Sequence, residues 1–347
     1  MKEVKKQFRK EEYEAVPLFD DILCYPVEEV VQLARISSKI YKTDSTEERS
    51  CLIQEFKAKR ESIRLIENAP SRLYLWPEGK MPQLTEYTSN RDLRYNHDPD
   101  FKPYMFEMLI PENMTPKGAI VCIPGGDQGF SSVHEGYQVC LDFNSLGYQC
   151  FFLHNRANFN PWTAKESGVD VARAIRIIRM NADKYRINAD NVAVAGFSNG
   201  GLTGENCIRY FSGKQTVADH FPGYEPDALD ALPGSPDAYL CVYGPRYKDS
   251  EFDFTDVVYP PTFFAVGRDD SAMDNLHPTY NSLVEHGVQV EIHTFAGVPH
   301  GVAGRKLIDG YVAYPNFEMW LALADSFLQD VYSNKNQPMT QEINRLS

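Results

Sequence analysis

The sequence predicts an α/β fold: a mostly parallel, twisted sheet with helices on both faces, preceded by an N-terminal helical extension. Three observations lead there. From about residue 83 onward, short strand-like runs alternate with longer runs at helical spacing. Gly and Pro mark the junctions, as in Pro124-Gly125-Gly126 and Val298-Pro299-His300-Gly301. Residues 1 to about 70 have a different texture, rich in charge, with apolar side chains recurring every three or four positions. Strand–helix alternation of this kind builds parallel sheets covered on both sides.

The helical extension comes first. Glu28 to Tyr41 carries Val30, Val31, Leu33, Ala34, Ile36 and Ile40 on one stripe, and a second helix opens at the capping signal Ser45-Thr46-Glu47-Glu48. That helix is expected to run through Leu52, Ile53, Phe56, Ile63, Leu65 and Ile66 until Ala69-Pro70 stops it. Both helices are amphipathic, so each must bury its stripe against the chain or against a second subunit. The expected strands are Met105–Ile110, Ala119–Ile123, Gln149–Leu153, Val192–Ala195, Ala238–Tyr243, Thr262–Val266 and Val288–Phe295. Helices are expected at His134–Leu146, Ala164–Tyr185, Gly201–Phe211, Pro278–His286 and Phe317–Val331. The domain division is an extension over 1–85, a catalytic α/β unit over 86–335 and a tail over 336–347.

Composition limits what such a chain can do. Its 347 residues are 43% hydrophobic, 12% aromatic and 24% charged, which excludes disordered, collagen-like and coiled-coil readings. A formal charge of −13 repels phosphate backbones and anionic lipid, so neither nucleic acid nor membrane is an expected partner. The seven cysteines are scattered without a C-x-x-C spacing and read as small buried hydrophobes of a reducing compartment, with no metal expected. The N-terminus has no signal-peptide pattern and no apolar run is long enough to span a membrane, so a cytoplasmic location is expected.

In a parallel sheet, ligands sit beyond the carboxyl ends of the strands, and the loops there carry the sharpest signals. Gly196-Phe197-Ser198-Asn199-Gly200-Gly201 follows one strand and precedes a helix. That is what a nucleophile elbow requires: a serine on a strained strand-to-helix turn, with glycines where backbones cross. A serine needs a base, and the base needs an orienting acid. Among the histidines after Ser198, His293 lies in a strand, His277 and His286 in a helix-like segment, and His220 ahead of a strand. Only His300 occupies a post-strand loop. The acid comes from Gly267-Arg268-Asp269-Asp270, where Asp270 fits a G-x-x-D spacing and Asp269 is the alternative. Oxyanion donors are expected from the backbone N–H of Asn199 and from Gly126 and Asp127 in the glycine-rich loop. Gly125, Phe130 and Trp162 are expected at the substrate. More broadly, Phe130, Phe159, Trp162, Tyr243 and Tyr247 are either a binding wall or plain packing.

Taken with Ser235–Tyr243 and the helical stretch Asp170-Val171-Ala172-Arg173-Ala174-Ile175-Arg176, these motifs resemble the α/β-hydrolase superfamily over about residues 101–332. Within it they resemble the acetyl-esterase and acetyl-xylan-esterase-like branch related to hormone-sensitive lipases. The resemblance implies a Ser198–Asp270–His300 triad that hydrolyses short-chain acyl esters, often acetyl groups on carbohydrates, without a cofactor. It departs from the lipase-like relatives where their H-G-G-G loop reads Pro124-Gly125-Gly126-Asp127 here. The N-terminal region has no such resemblance and is expected to cap the pocket or to pair two copies of the chain. Two other readings share the motifs: a serine peptidase of the prolyl-oligopeptidase type and a non-catalytic hydrolase-fold binding protein.

Overall fold

The computed structural model of the protein describes residues 26–64, 71–84, 101–126, 133–157, 162–245, 254–305 and 314–334. Its centre is an eight-stranded sheet in the order β1-β2-β4-β3-β5-β6-β7-β8. The strands are β1 (Leu73–Tyr74), β2 (Tyr104–Met108), β3 (Gly118–Ile123), β4 (Tyr148–His154), β5 (Val192–Phe197), β6 (Ala238–Val242), β7 (Thr262–Gly267) and β8 (Val290–Phe295). β2 pairs antiparallel with both β1 and β4 and every other pairing is parallel, with Ile120 opposite Cys150 and Ala193 in β5. Strands β3 to β7 are buried along their whole length. They read as unbroken apolar runs because helices cover both faces. β8, at the edge, is largely half-exposed.

The helices are α1 (Val27–Lys42), α2 (Thr46–Ser62), α3 (Val139–Ser145), α4 (Ala164–Met180), α5 (Ala182–Tyr185), α6 (Asn199–Phe211), α7 (Val217–His220), α8 (Met273–Glu285), α9 (Pro315–Glu318) and α10 (Trp320–Asn334). Two differ from the sequence expectation. α2 stops at Ser62, short of Ala69-Pro70, because the β-branched Ile63 turns extended and packs on the core. Leu65, Ile66, Ala69 and Pro70 lie outside the described residues. α8 begins five positions ahead of Pro278 and carries that proline inside it. Pro278 and Asp274, whose carbonyl loses its usual partner, both lie on the exposed face. The expected helix over 134–146 divides into a π-helical turn, Val133–Gln138, followed by α3.

The stripes of α1 and α2 are covered by the chain itself. Val30, Leu33, Ile36, Ile40, Ile53 and Phe56 belong to the same buried cluster as the sheet, and α1 packs on the π-helical turn. The 71–84 segment is stitched to the sheet by β1 and by a buried network. Asp170 on α4 accepts from Trp76 Nε1 at 3.0 Å and pairs with Arg156 at 2.7 Å, while Arg156 Nη1 donates to the Pro82 carbonyl. Among the described residues, no helix is long and apolar enough to cross a membrane. Cys122, Cys140, Cys150, Cys207 and Cys241 are buried and Cys51 is exposed.

Candidate active site

The site grows from the end of β5. Ser198 stands between Phe197 and α6 with φ 51° and ψ −119°, a conformation costing a non-glycine residue about 1–3 kcal/mol. The crossing behind it leaves no room for side chains. A Cβ on Gly200 would lie 2.1 Å from the Ile123 carbonyl oxygen, and one on Gly196 2.5 Å from that of Gly200. The turn therefore needs glycine on both sides of the serine, and the Ser198 hydroxyl is pushed out over the sheet edge.

His300 arrives from the loop after β8, and its Nε2 lies 2.7 Å from Ser198 Oγ. Asp270 arrives from the loop after β7, with its carboxylate oxygens 2.8 and 2.9 Å from His300 Nδ1. The carboxylate is fully buried while the imidazole side chain is 45% exposed. Asp270 also accepts from the Ala272 N–H at 2.8 Å, which fixes its rotamer. Asp269 is exposed, so burial separates the two adjacent acids. Burial pushes the His300 pKa down, but the Asp270 hydrogen bond and charge outweigh it, and the group titrates above its ordinary range. A base held by a buried carboxylate and touching a hydroxyl can take that hydroxyl's proton.

The glycine-rich loop after β3 lies alongside. A Cβ on Gly125 would come within 2.7 Å of the Ser198 Cβ, so this backbone passes as close to the nucleophile as packing allows. Asn199, first residue of α6, donates from Nδ2 to the Gly126 carbonyl at 3.0 Å. Gly126 and Asn199 thus flank Ser198, at the positive end of a helix. Asp127 and Phe130 lie outside the described residues, as do Phe159 and Tyr247. Trp162 is 2% exposed and sits under the Arg156 guanidinium, and it is not among the described residues of the pocket wall. Its large apolar ring is more stable in the core than facing solvent. Tyr243 does reach the wall, with its ring 5.0 Å from that of His300.

Glu135, on the π-helical turn, is a residue that motif reading passes over. It is 2% exposed. It accepts from the Gly125 N–H at 2.6 Å and from the Tyr243 hydroxyl at 2.7 Å. Burial pushes its carboxyl pKa up, and those two donors oppose the rise. No local spacing announces this group, because Tyr243 is 108 positions away.

Ser198, His300, Gly126, Leu202, Tyr243 and Asn275 belong to the wall of a pocket of about 400 Å³. A larger hollow of about 540 Å³ lies beside Arg176, Tyr224 and Asp230 and shares no wall residue with it. The chemistry, not the volume, selects the smaller one. Among the described residues, Cys122, Cys140 and Cys150 form a group that could hold a soft cation, their sulfur atoms lying within 4.8 Å of one another. All three are enclosed in the core, where burial raises the Cys140 and Cys150 thiols well above their usual range and keeps them protonated.

Sheet order, elbow and post-strand loops together define the class: the chain has the α/β-hydrolase fold. The crystal structure of an acetyl ester-xyloside bifunctional hydrolase from Caldicellulosiruptor lactoaceticus matches it with a TM-score of 0.56 at 23% identity, over 76% of this chain and 97% of that one. No family model matches. In sequence, the chain is 26% identical over 168 residues to endo-1,4-beta-xylanase B of Butyrivibrio fibrisolvens, covering 47% of this chain and 25% of that protein. It is 38% identical over 95 residues to an acetylxylan esterase of Xylanibacter ruminicola, covering 27% of this chain and 19% of that one. The chain therefore spans a quarter or less of the length of these curated relatives.

Proposed function

We propose that the protein is a serine carboxylesterase that hydrolyses short-chain acyl esters, acetyl esters of carbohydrates foremost. The observation that carries this reading is the unbroken line of hydrogen bonds from Ser198 Oγ through His300 to Asp270, at 2.7 and 2.8 Å. His300 Nε2 takes the hydroxyl proton as Oγ attacks the ester carbonyl. The backbone amides of Asn199 and of Gly126 and Asp127 hold the oxyanion. Collapse of the tetrahedral intermediate expels the alcohol, which leaves with the proton from His300, and water then repeats the sequence to release the acid. Asp270 keeps the imidazole in the tautomer that this exchange needs. A pocket of about 400 Å³ favours a small acyl group, and the likeness to a protein named acetylxylan esterase supports acetyl.

The test is turnover of p-nitrophenyl acetate and of acetylated xylo-oligosaccharides. Ser198→Ala is expected to lower kcat by about 10⁴-fold or more. Parent-like turnover in that variant would refute the assignment. Cleavage of acyl-peptides with no ester turnover would replace the esterase with the peptidase reading.

A further inference from the structure

We infer that Glu135 is a positioning residue that holds the oxyanion loop and the histidine loop in register from beneath the pocket. The inference rests on the esterase reading and deepens it. Three contacts carry it. One carboxylate oxygen accepts the Gly125 N–H at 2.6 Å, the other accepts the Tyr243 hydroxyl at 2.7 Å, and that hydroxyl accepts the Ala303 N–H at 3.2 Å. A single side chain on the π-helical turn thereby joins the loop after β3, the end of β6 and the loop that carries His300. The π-helical turn and the histidine loop also touch directly, since a Cβ on Gly304 would lie 2.0 Å from the His134 carbonyl oxygen.

The loop needs such a tie. Gly125 and Gly126 are adjacent glycines, and Gly126 has φ 58°, so the backbone there has little intrinsic preference for the orientation an oxyanion donor requires. It is pinned at two points: the Gly125 N–H by Glu135, and the Gly126 carbonyl by Asn199 Nδ2 at 3.0 Å. With both ends fixed, the intervening peptide, which carries the Gly126 N–H, has a set direction. A carboxyl group offers a separate acceptor oxygen to each of two donors converging from different segments. Its burial is costly, and a π-helical turn is an uncommon way to present it. Such turns concentrate at functional sites.

The experiment compares Glu135→Ala, Glu135→Gln and Tyr243→Phe with the parent on p-nitrophenyl acetate. Rates are expressed per active site, counted by exhaustive labelling of Ser198 with a fluorophosphonate. An oxyanion donor acts mainly in the transition state. Glu135→Ala is therefore expected to lower kcat by about 30- to 300-fold while KM stays within about threefold. Glu135→Gln, which keeps one carbonyl oxygen for the Gly125 N–H, should recover part of that loss. Tyr243→Phe, which frees only the histidine-loop end, should cost about 3- to 10-fold in kcat. Parent-like kcat per labelled site in Glu135→Ala would overturn the inference, as would a loss explained wholly by fewer labelled sites. Should that variant fail to fold, parent-like kcat per site in both Glu135→Gln and Tyr243→Phe would overturn it equally. A parent that turns over no ester at all refutes the esterase reading instead, before any variant is made.

Discussion

Ser198 is held in an unfavourable backbone conformation, at φ 51°, by packing that tolerates no atoms beyond glycine on either side. Gly200→Ala places a methyl 2.1 Å from the Ile123 carbonyl oxygen, so β3 and the start of α6 must separate. The expected outcome is a lower melting temperature and at least a ~10²-fold loss of ester turnover, read by thermal melts and p-nitrophenyl acetate kinetics. His300 sets the pH response. Burial lowers its pKa, while Asp270 and the Glu135 charge raise it, Arg305 opposes them, and the balance lies above 6.5. The base works only when neutral, so kcat/KM should fall about tenfold per pH unit on the acid side, with a midpoint above 6.5. Asp270→Asn removes the main raising group. It should move that midpoint down and lower kcat by about 10⁴-fold; a profile whose acid limb is unchanged in this variant would contradict the pairing.

At the scale of the element, α4 shows how charge is carried into a helix that is buried nearly throughout. Arg173, Arg176 and Arg179 recur at a spacing of three, and each meets an aspartate on a segment that covers the helix: Asp227 at 2.8 Å, Asp230 at 3.4 Å and Asp237 at 2.9 Å. One turn earlier on the same helix, Asp170 forms a pair with Arg156 that has no solvent exposure. Breaking one partner of such a pair strands the other charge in the core. Asp170→Asn is therefore expected to reduce the unfolding free energy by about 3–5 kcal/mol in urea titrations, and to loosen the 71–84 segment that Trp76 and Pro82 tie to the same pair. The strands were readable to within a few residues because their apolar runs are bounded by Gly, Pro and charge. The two-residue β1 was not, since Leu73–Tyr74 is too short to show a period. The π-helical turn looks like ordinary helix in sequence because the apolar spacing is the same over so short a stretch.

For the whole molecule, the decisive feature is that the N-terminal helices and the sheet share one core. Ile40 and Phe56 are fully buried in it, and the described residues of the pocket wall include none from α1 or α2. Phe56→Ala should accordingly lower stability by about 3–5 kcal/mol while leaving kcat on p-nitrophenyl acetate unchanged at 25 °C. A large drop in kcat with unaltered stability would place these helices in the site instead.

The order of strands and helices, the strained serine at a strand's end and the histidine in a later post-strand loop are all written locally, in spacing and in the identity of glycines. Those the sequence determined by itself. The contact of His300 with Asp270 and not with its neighbour, the burial of Trp162 and the Glu135 contacts beneath the glycine loop arise only in three dimensions. Each depends on which distant segments come within about 3 Å of one another and on what they exclude from water, and no local pattern encodes either.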